Sequence, residues 1–88
     1  MEIKYSLHYT KKAFQDIKSL KAAKLSAKAK KLCNLLLLNP APHNSKQLSG
    51  DLSGKRSVRI NLKHILVYKI FEKEKSIKIL SMWESLLR

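Results

Sequence analysis

The stretch SVRINLKHILVYKIF, residues 57–71, determines which class of fold the sequence specifies. In its first half, Val58, Ile60 and Leu62 alternate with polar residues, which is typical of a strand with one buried face. Its second half, 65–71, is almost continuously apolar and rich in β-branched and aromatic residues, as expected of a central strand. Because the join between the halves is as short as a hairpin turn, the stretch predicts two neighbouring strands of a sheet.

The regions on either side of this stretch predict the other elements. Residues 77–82 predict a further strand, and residues 3–9 predict one near the start of the chain. Thr10 is a candidate N-cap for a first helix, and residues 25–38 predict a second. The apolar stripe of the first helix consists of Ala13, Phe14, Ile17 and Leu20. Both glycines and both prolines fall within 40–54, so a single loop joins the helical half to the strand-rich half.

The order strand, helix, helix and three strands predicts one α+β domain over residues 1–88. We expect a helical hairpin packed on one face of a largely antiparallel four-stranded sheet. If Val58, Ile60 and Leu62 face the helices, the alternating residues Ser57, Arg59 and Asn61 lie on the opposite face. That face is expected to form an electropositive groove, edged by Lys46, Lys55, Arg56 and Lys63.

The net charge indicates the kind of partner. The 88 residues include 19 Lys and Arg but only 6 Asp and Glu, which gives a formal net charge of +13 and a pI near 10.1. This excess predicts a polyanionic partner, which could be RNA, DNA, an acidic protein or an anionic membrane.

Other features of the composition exclude several classes of site. A single cysteine, Cys33, excludes an internal disulfide framework and a Cys-rich zinc site. The three histidines, His8, His43 and His64, lack metal-ligand spacing, and no glycine-rich phosphate loop is present, so we expect neither a metal nor a cofactor. The longest apolar run, 35–38, is too short to span a bilayer, and the first ten residues are too polar for a signal peptide. We therefore expect a cytoplasmic protein that does not enter a membrane.

Four short motifs resemble those of a known family. They are Asp51-Leu52-Ser53-Gly54, Ser57-x-Arg59-Ile60-Asn61, His64-x-Leu66-Val67-Tyr68 and Lys78-Ile79-Leu80-Ser81-Met82-Trp83. With these motifs in this order of elements, the chain resembles the Txe/YoeB branch of the RelE/ParE toxin superfamily. The resemblance implies a toxin of a bacterial type II toxin–antitoxin system with a YefM-like antitoxin as its cognate partner. It also implies an endoribonuclease that binds the ribosome, cleaves mRNA there and so inhibits translation.

The resemblance further implies a mechanism without metal, in which the 2′-OH attacks the adjacent phosphate. Such a reaction needs a base, cations that stabilise the pentacoordinate phosphate, and an acid that protonates the departing 5′ oxygen. The family pattern assigns these roles to a Glu, two Arg and a His-Tyr pair. The first arginine is present here as Arg59, and the family's His before the LVY motif is His64. At the other four catalytic positions the sequence has Lys46, Ile65, Ser85 and Leu86.

These considerations define two sets of candidate residues. The candidate catalytic residues are Arg59, Lys46, Arg56 and His64, and the candidate RNA-binding residues are Lys55, Lys63, Arg56 and Arg59. Neighbouring positive charges favour the neutral form of a lysine, so a lysine such as Lys46 could act as the base. We expect Tyr68 and Trp83 to be core residues and Cys33 to be a small buried hydrophobe.

Two other functions stay open at this point. The substitutions at family catalytic positions are compatible with a weakened module that binds RNA, the ribosome or the antitoxin without efficient cleavage. The superfamily also includes ParE-like gyrase inhibitors, which share the fold and lack the nuclease residues.

Overall fold

The computed structural model describes residues 5–48 and 54–85, which form two helices and five strands. In chain order the elements are β1 (Ser6–Tyr9), α1 (Lys11–Ala22), α2 (Ser26–Leu38), β2 (Ser45–Gln47), β3 (Lys55–Arg59), β4 (His64–Phe71) and β5 (Ser76–Ser85). The α+β class expected from the sequence is confirmed.

The strands form one mixed sheet in the order β1-β5-β4-β3-β2. β1 runs parallel to β5, and the other neighbouring pairs are antiparallel. The sheet has five strands rather than the four predicted, because Ser45–Gln47 pairs with β3 and places Ser45 opposite Val58. These three polar residues show no apolar alternation, so it is the pairing with β3, rather than their composition, that makes them a strand.

The turn between β3 and β4 corrects the predicted position of Leu62. β3 ends at Arg59, and Leu62 lies in the turn with 82% of its surface exposed instead of facing the helices. The physical reason is Asn61, which was predicted to lie on the opposite face of the strand. Its Oδ1 accepts hydrogen bonds from the backbone amides of Lys63 (2.9 Å) and His64 (2.8 Å). This side chain therefore closes a tight turn in competition with strand pairing.

Helix α1 is tied to β5 by two polar side chains. Thr10 is the N-cap, as predicted, because its hydroxyl accepts a hydrogen bond from the amide of Ala13 at 3.1 Å. The same hydroxyl donates to the carbonyl of Leu80 at 2.8 Å. Further along the helix, the Asp16 carboxylate accepts from the amide of Met82 at 3.0 Å. These contacts fix α1 against one face of the sheet.

The core lies between that face and the two helices. Its main contributors from the strands and the turn between β3 and β4 are Val58, Ile60, Leu66, Tyr68, Ile77, Ile79 and Met82, and those from the helices are Ala13, Leu20, Ala29, Cys33 and Leu36. The predictions that Tyr68 belongs to the core and that Cys33 is buried are confirmed, while Trp83 is half-buried and packs against the core. Within the described residues, neither helix has the length and apolar character needed to cross a bilayer.

Candidate functional site

The face of the sheet that the helices leave uncovered, called the open face here, carries the candidate site. Successive side chains of a strand point to opposite faces, so Arg59 lies on the face opposite the buried Val58. The register then adds side chains from both neighbouring strands. Lys46 of β2 lies directly opposite Ser57, and Ile65 of β4 lies directly opposite Arg59. These residues consequently meet on one surface.

A small pocket of about 80 Å³ forms at this meeting point. It is lined by Asn44, Lys46, Ser57, Arg59 and Ile65. No acidic side chain lines it within the part of the chain that the structure describes. Two cations around a small polar pocket form a site that favours an anion such as a phosphate group.

Comparison with known proteins shows the family to which the chain belongs. The family described as the ParE toxin of the type II toxin–antitoxin system parDE matches residues 7–85. The chain belongs to this family. The protein is therefore a toxin of the toxin–antitoxin class, as the motifs predicted. A search of curated protein sequences gives no significant match.

Solved structures with the same fold include toxins of the YoeB and RelE types. The YoeB dimer from Staphylococcus aureus is 28% identical, with a TM-score of 0.78 over 92% of this chain and 97% of that one. The YoeB/ParE toxin from Agrobacterium tumefaciens is 22% identical, with a TM-score of 0.77 over 89% and 95%. The archaeal RelE–RelB complex from Pyrococcus horikoshii is 20% identical, with a TM-score of 0.78 over 97% and 99%. The resemblance to the Txe/YoeB branch is confirmed by the first of these.

Of the four candidate catalytic residues of this toxin, the structure brings Lys46 and Arg59 together in the pocket. It does not bring Arg56 there, although Arg56 was expected at the edge of the electropositive groove. Arg56 is two residues from Val58 in β3, so its side chain points to the same, helix-covered face. Its Nε and Nη2 donate to the hydroxyl of Ser45 at 3.1 and 3.0 Å.

A network of polar groups surrounds Arg56 on that face. The Ser45 hydroxyl donates to the carbonyl of Pro42 at 2.8 Å, and the hydroxyl of Tyr68 donates to the carbonyl of Pro40 at 2.5 Å. Burial raises the pKa of Tyr68, and hydrogen bonds with Ser45 and Arg56 partly oppose this shift. The network holds the segment from Pro40 to Ser45 against the core. Because the next residue is Lys46, the same contacts position one wall of the pocket.

His64 lies outside the pocket as well. Its ring stacks on Trp83 with centroids 3.8 Å apart and an angle of 14° between the planes. Its Nδ1 is buried and has no hydrogen-bond partner among the described residues. The neighbouring Ile65 faces the pocket instead, at the position where the family pattern has its second arginine.

The remaining candidates fall in several places. Lys55 lies on the open face of β3, and Lys63 is exposed in the β3–β4 turn. Ser85 is paired with His64 at the end of β5. Leu86 and most of the Asp51–Gly54 motif lie outside the described residues.

Sequence reasoning missed several residues of this face. Asn44 lines the pocket, and Lys69 and Lys78 lie on the same face as Arg59, whereas Ser57 was already expected on this face. The sequence did contain a signal for the two lysines. Each one interrupts an apolar strand at a position whose side chain points to the open face. Asn44 carried no such signal, because its place depends on the unpredicted β2.

A second cavity, of about 330 Å³, opens between the helices and the sheet. Its lining is largely apolar and includes Ile17, Leu20, Ala29 and Met82. The nearby thiol of Cys33 is not a nucleophile, since burial raises its pKa to about 11 although a hydrogen bond with Tyr9 opposes the shift. Among the described residues, no three His, Cys, Asp or Glu side chains are placed to hold a metal ion.

Proposed function

We propose that this toxin is a ribosome-dependent endoribonuclease that cleaves mRNA and thereby inhibits translation. The observation that carries the proposal is the meeting of Lys46 and Arg59 in a pocket on the open face. The family membership and the likeness to S. aureus YoeB support the assignment. The net charge of +13 also fits a protein that works against an RNA backbone.

The pocket supports a specific division of roles. Arg59 presents a planar fork of donors to the phosphate and stabilises the negative charge that develops when the 2′ oxygen attacks. Lys46 is the proposed base that accepts the proton of the 2′-OH. Attack breaks the bond from phosphorus to the 5′ oxygen and leaves a 2′,3′-cyclic phosphate.

The leaving oxygen receives its proton from water in this scheme. Among the described residues that line the pocket, none is a His, Tyr, Asp or Glu that could serve as the acid. Because a positioned acid typically contributes about 10²–10⁴-fold, we expect cleavage slower by about that factor than in a toxin with the complete set.

The proposed protein partner is a YefM-like antitoxin. A complex of YoeB with YefM is known from S. aureus, and that toxin is 27% identical to this chain. An acidic antitoxin segment would neutralise the excess positive charge, and a cytoplasmic location would give the toxin access to the ribosome.

The test is to map mRNA ends by primer extension in a reconstituted translation reaction. We expect new ends that require ribosomes, and their loss with Arg59→Ala while circular dichroism shows a folded protein. Lys31→Ala, which removes an exposed charge on α2, is the matched control and is expected to cleave normally. Cleavage that continues unchanged in Arg59→Ala would exclude the proposed mechanism. An uncut message together with growth arrest would favour a module that binds without cleaving.

A second candidate function is inhibition of DNA gyrase, because the matching family is that of the ParE toxins. In that case the wild-type protein would block supercoiling by purified gyrase and leave mRNA intact. Normal supercoiling in its presence would exclude this alternative.

A further inference from the structure

Three lysines lie side by side across the open face, some distance from the pocket. Lys69 of β4 is directly opposite Lys55 of β3 on one side and Lys78 of β5 on the other. Lys78 in turn pairs with His8 of β1. With neighbouring strands about 4.8 Å apart, Lys55, Lys69 and Lys78 form a row about 10 Å long, called the lysine row below.

This arrangement of lysines does not stabilise the folded protein in the absence of a partner. Lys69 and Lys78 carry like charges directly opposite each other, and such a pair destabilises a sheet. A polyanion lying across the lysine row would convert this repulsion into attraction.

The lysine row is continuous with the candidate site. Lys55 and Arg59 project from the same face of β3 four residues apart, which corresponds to about 13 Å. From Lys55 the row leads across β4 and β5, away from the pocket at the β2 side. The ammonium group of Lys69 lies 5.1 Å above the ring of Phe71, which restricts its direction.

We infer that the lysine row binds backbone phosphates of the RNA strand whose scissile phosphate occupies the Arg59 pocket. The inference rests on the proposed function for what enters the pocket. Contacts to phosphates position a strand without reading its sequence. The lysine row therefore determines the affinity for RNA and the length of RNA that is needed for tight binding. Any preference for particular bases arises at the pocket.

The experiment compares two double variants with equal loss of charge. Lys69→Gln/Lys78→Gln removes two members of the row, and Lys28→Gln/Lys31→Gln removes two exposed lysines of α2. Fluorescence anisotropy measures binding of each protein to a long single-stranded RNA and to a trinucleotide over a range of salt concentrations. Both RNAs carry 2′-deoxy sugars at the reacting positions, so cleavage does not interfere.

For the row variant we expect the slope of log K against log[salt] with long RNA to become shallower by about 1.4, since each phosphate contact contributes about 0.7. The same constant predicts an affinity about 25-fold lower near 0.1 M salt. Binding of the trinucleotide is expected to stay unchanged, and the α2 variant is expected to match the wild type. Equal losses for both RNAs, equal losses in both variants, or no preference of the wild type for long RNA would overturn the inference.

Two further arms separate the sources of the phosphate. Weaker binding of the row variant to vacant ribosomes would assign the row to ribosomal RNA and overturn the inference. Weaker binding only to ribosomes that carry mRNA would support it. Unchanged RNA binding with weakened antitoxin binding would refute the inference in favour of an acidic protein. Failure of the proposed function gives a different result. In that case the wild type would not cleave mRNA, while the salt dependence of its binding to long RNA would still change in the row variant.

Discussion

The two faces of β4 differ in what covers them. One face forms the hydrophobic core, and the other carries the candidate functional site. On the helix-covered face, Leu66 and Tyr68 are completely buried. On the open face, Ile65 contributes to the pocket and Lys69 contributes to the lysine row. One alternating stretch thus supplies the core and the site together. A substitution at one position should affect stability, and a substitution at the next should affect binding.

The largest expected effect comes from the covered face. Leu66→Ala removes a fully buried side chain and should lower the free energy of unfolding by about 2–5 kcal/mol. Val67→Ala, one residue along and half-buried on the open face, should cost clearly less. Urea unfolding of both variants checks the comparison. Equal losses would mean that the two faces do not differ in packing as the structure indicates.

The covered face was also the more predictable one. The alternation of Val58 with polar residues identified it, and Thr10 was recognised as a cap, because both signals are local in sequence. A groove with Arg59 and Lys46 was expected on the open face, but the strand pairing that forms the pocket was not. The meeting of Lys46 with Arg59 depends on the pairing of β2, and three polar residues give no periodic signal for it. Leu62 was misplaced because the turn chemistry of Asn61 outweighed the apolar pattern.

The covered face should also respond to alkaline pH through Cys33. Burial raises the pKa of this thiol from 9.0 to about 11, so between these values the unfolded chain has released a proton that the folded chain retains. Stability therefore falls as pH rises through that interval, by about 2–3 kcal/mol in total for this group. The measurement is the pH dependence of unfolding for the wild type minus that of Cys33→Ala, which cancels the other titrating groups. A difference that stays flat from neutral pH to pH 11 would contradict it.

Substitution of Arg56 tests whether contacts on the helix-covered face position Lys46 on the open face. Arg56→Ala removes the hydrogen bonds to Ser45 and should cost about 1–3 kcal/mol. It should also reduce mRNA cleavage, because Ser45 precedes Lys46 in β2. Arg56→Lys discriminates between roles, since lysine keeps the charge but lacks the planar fork. A positioning role predicts that lysine restores neither stability nor cleavage, whereas full rescue by lysine would indicate a simple phosphate contact.

The smallest expected effect lies on the open face and has the opposite sign. Lys78 is directly opposite Lys69 and His8, so Lys78→Gln relieves repulsion and should raise the free energy of unfolding by roughly 0.5 kcal/mol or less. Lys73→Gln removes the same charge from the β4–β5 turn, between Glu72 and Glu74, and should give no gain. Salt screens exposed charges, so the gain should disappear as ionic strength rises. Thermal unfolding at low and high salt measures both changes. A gain that persists at high salt would mean that it arises from packing or strand propensity, and the lysine row would then impose no electrostatic cost on the folded toxin.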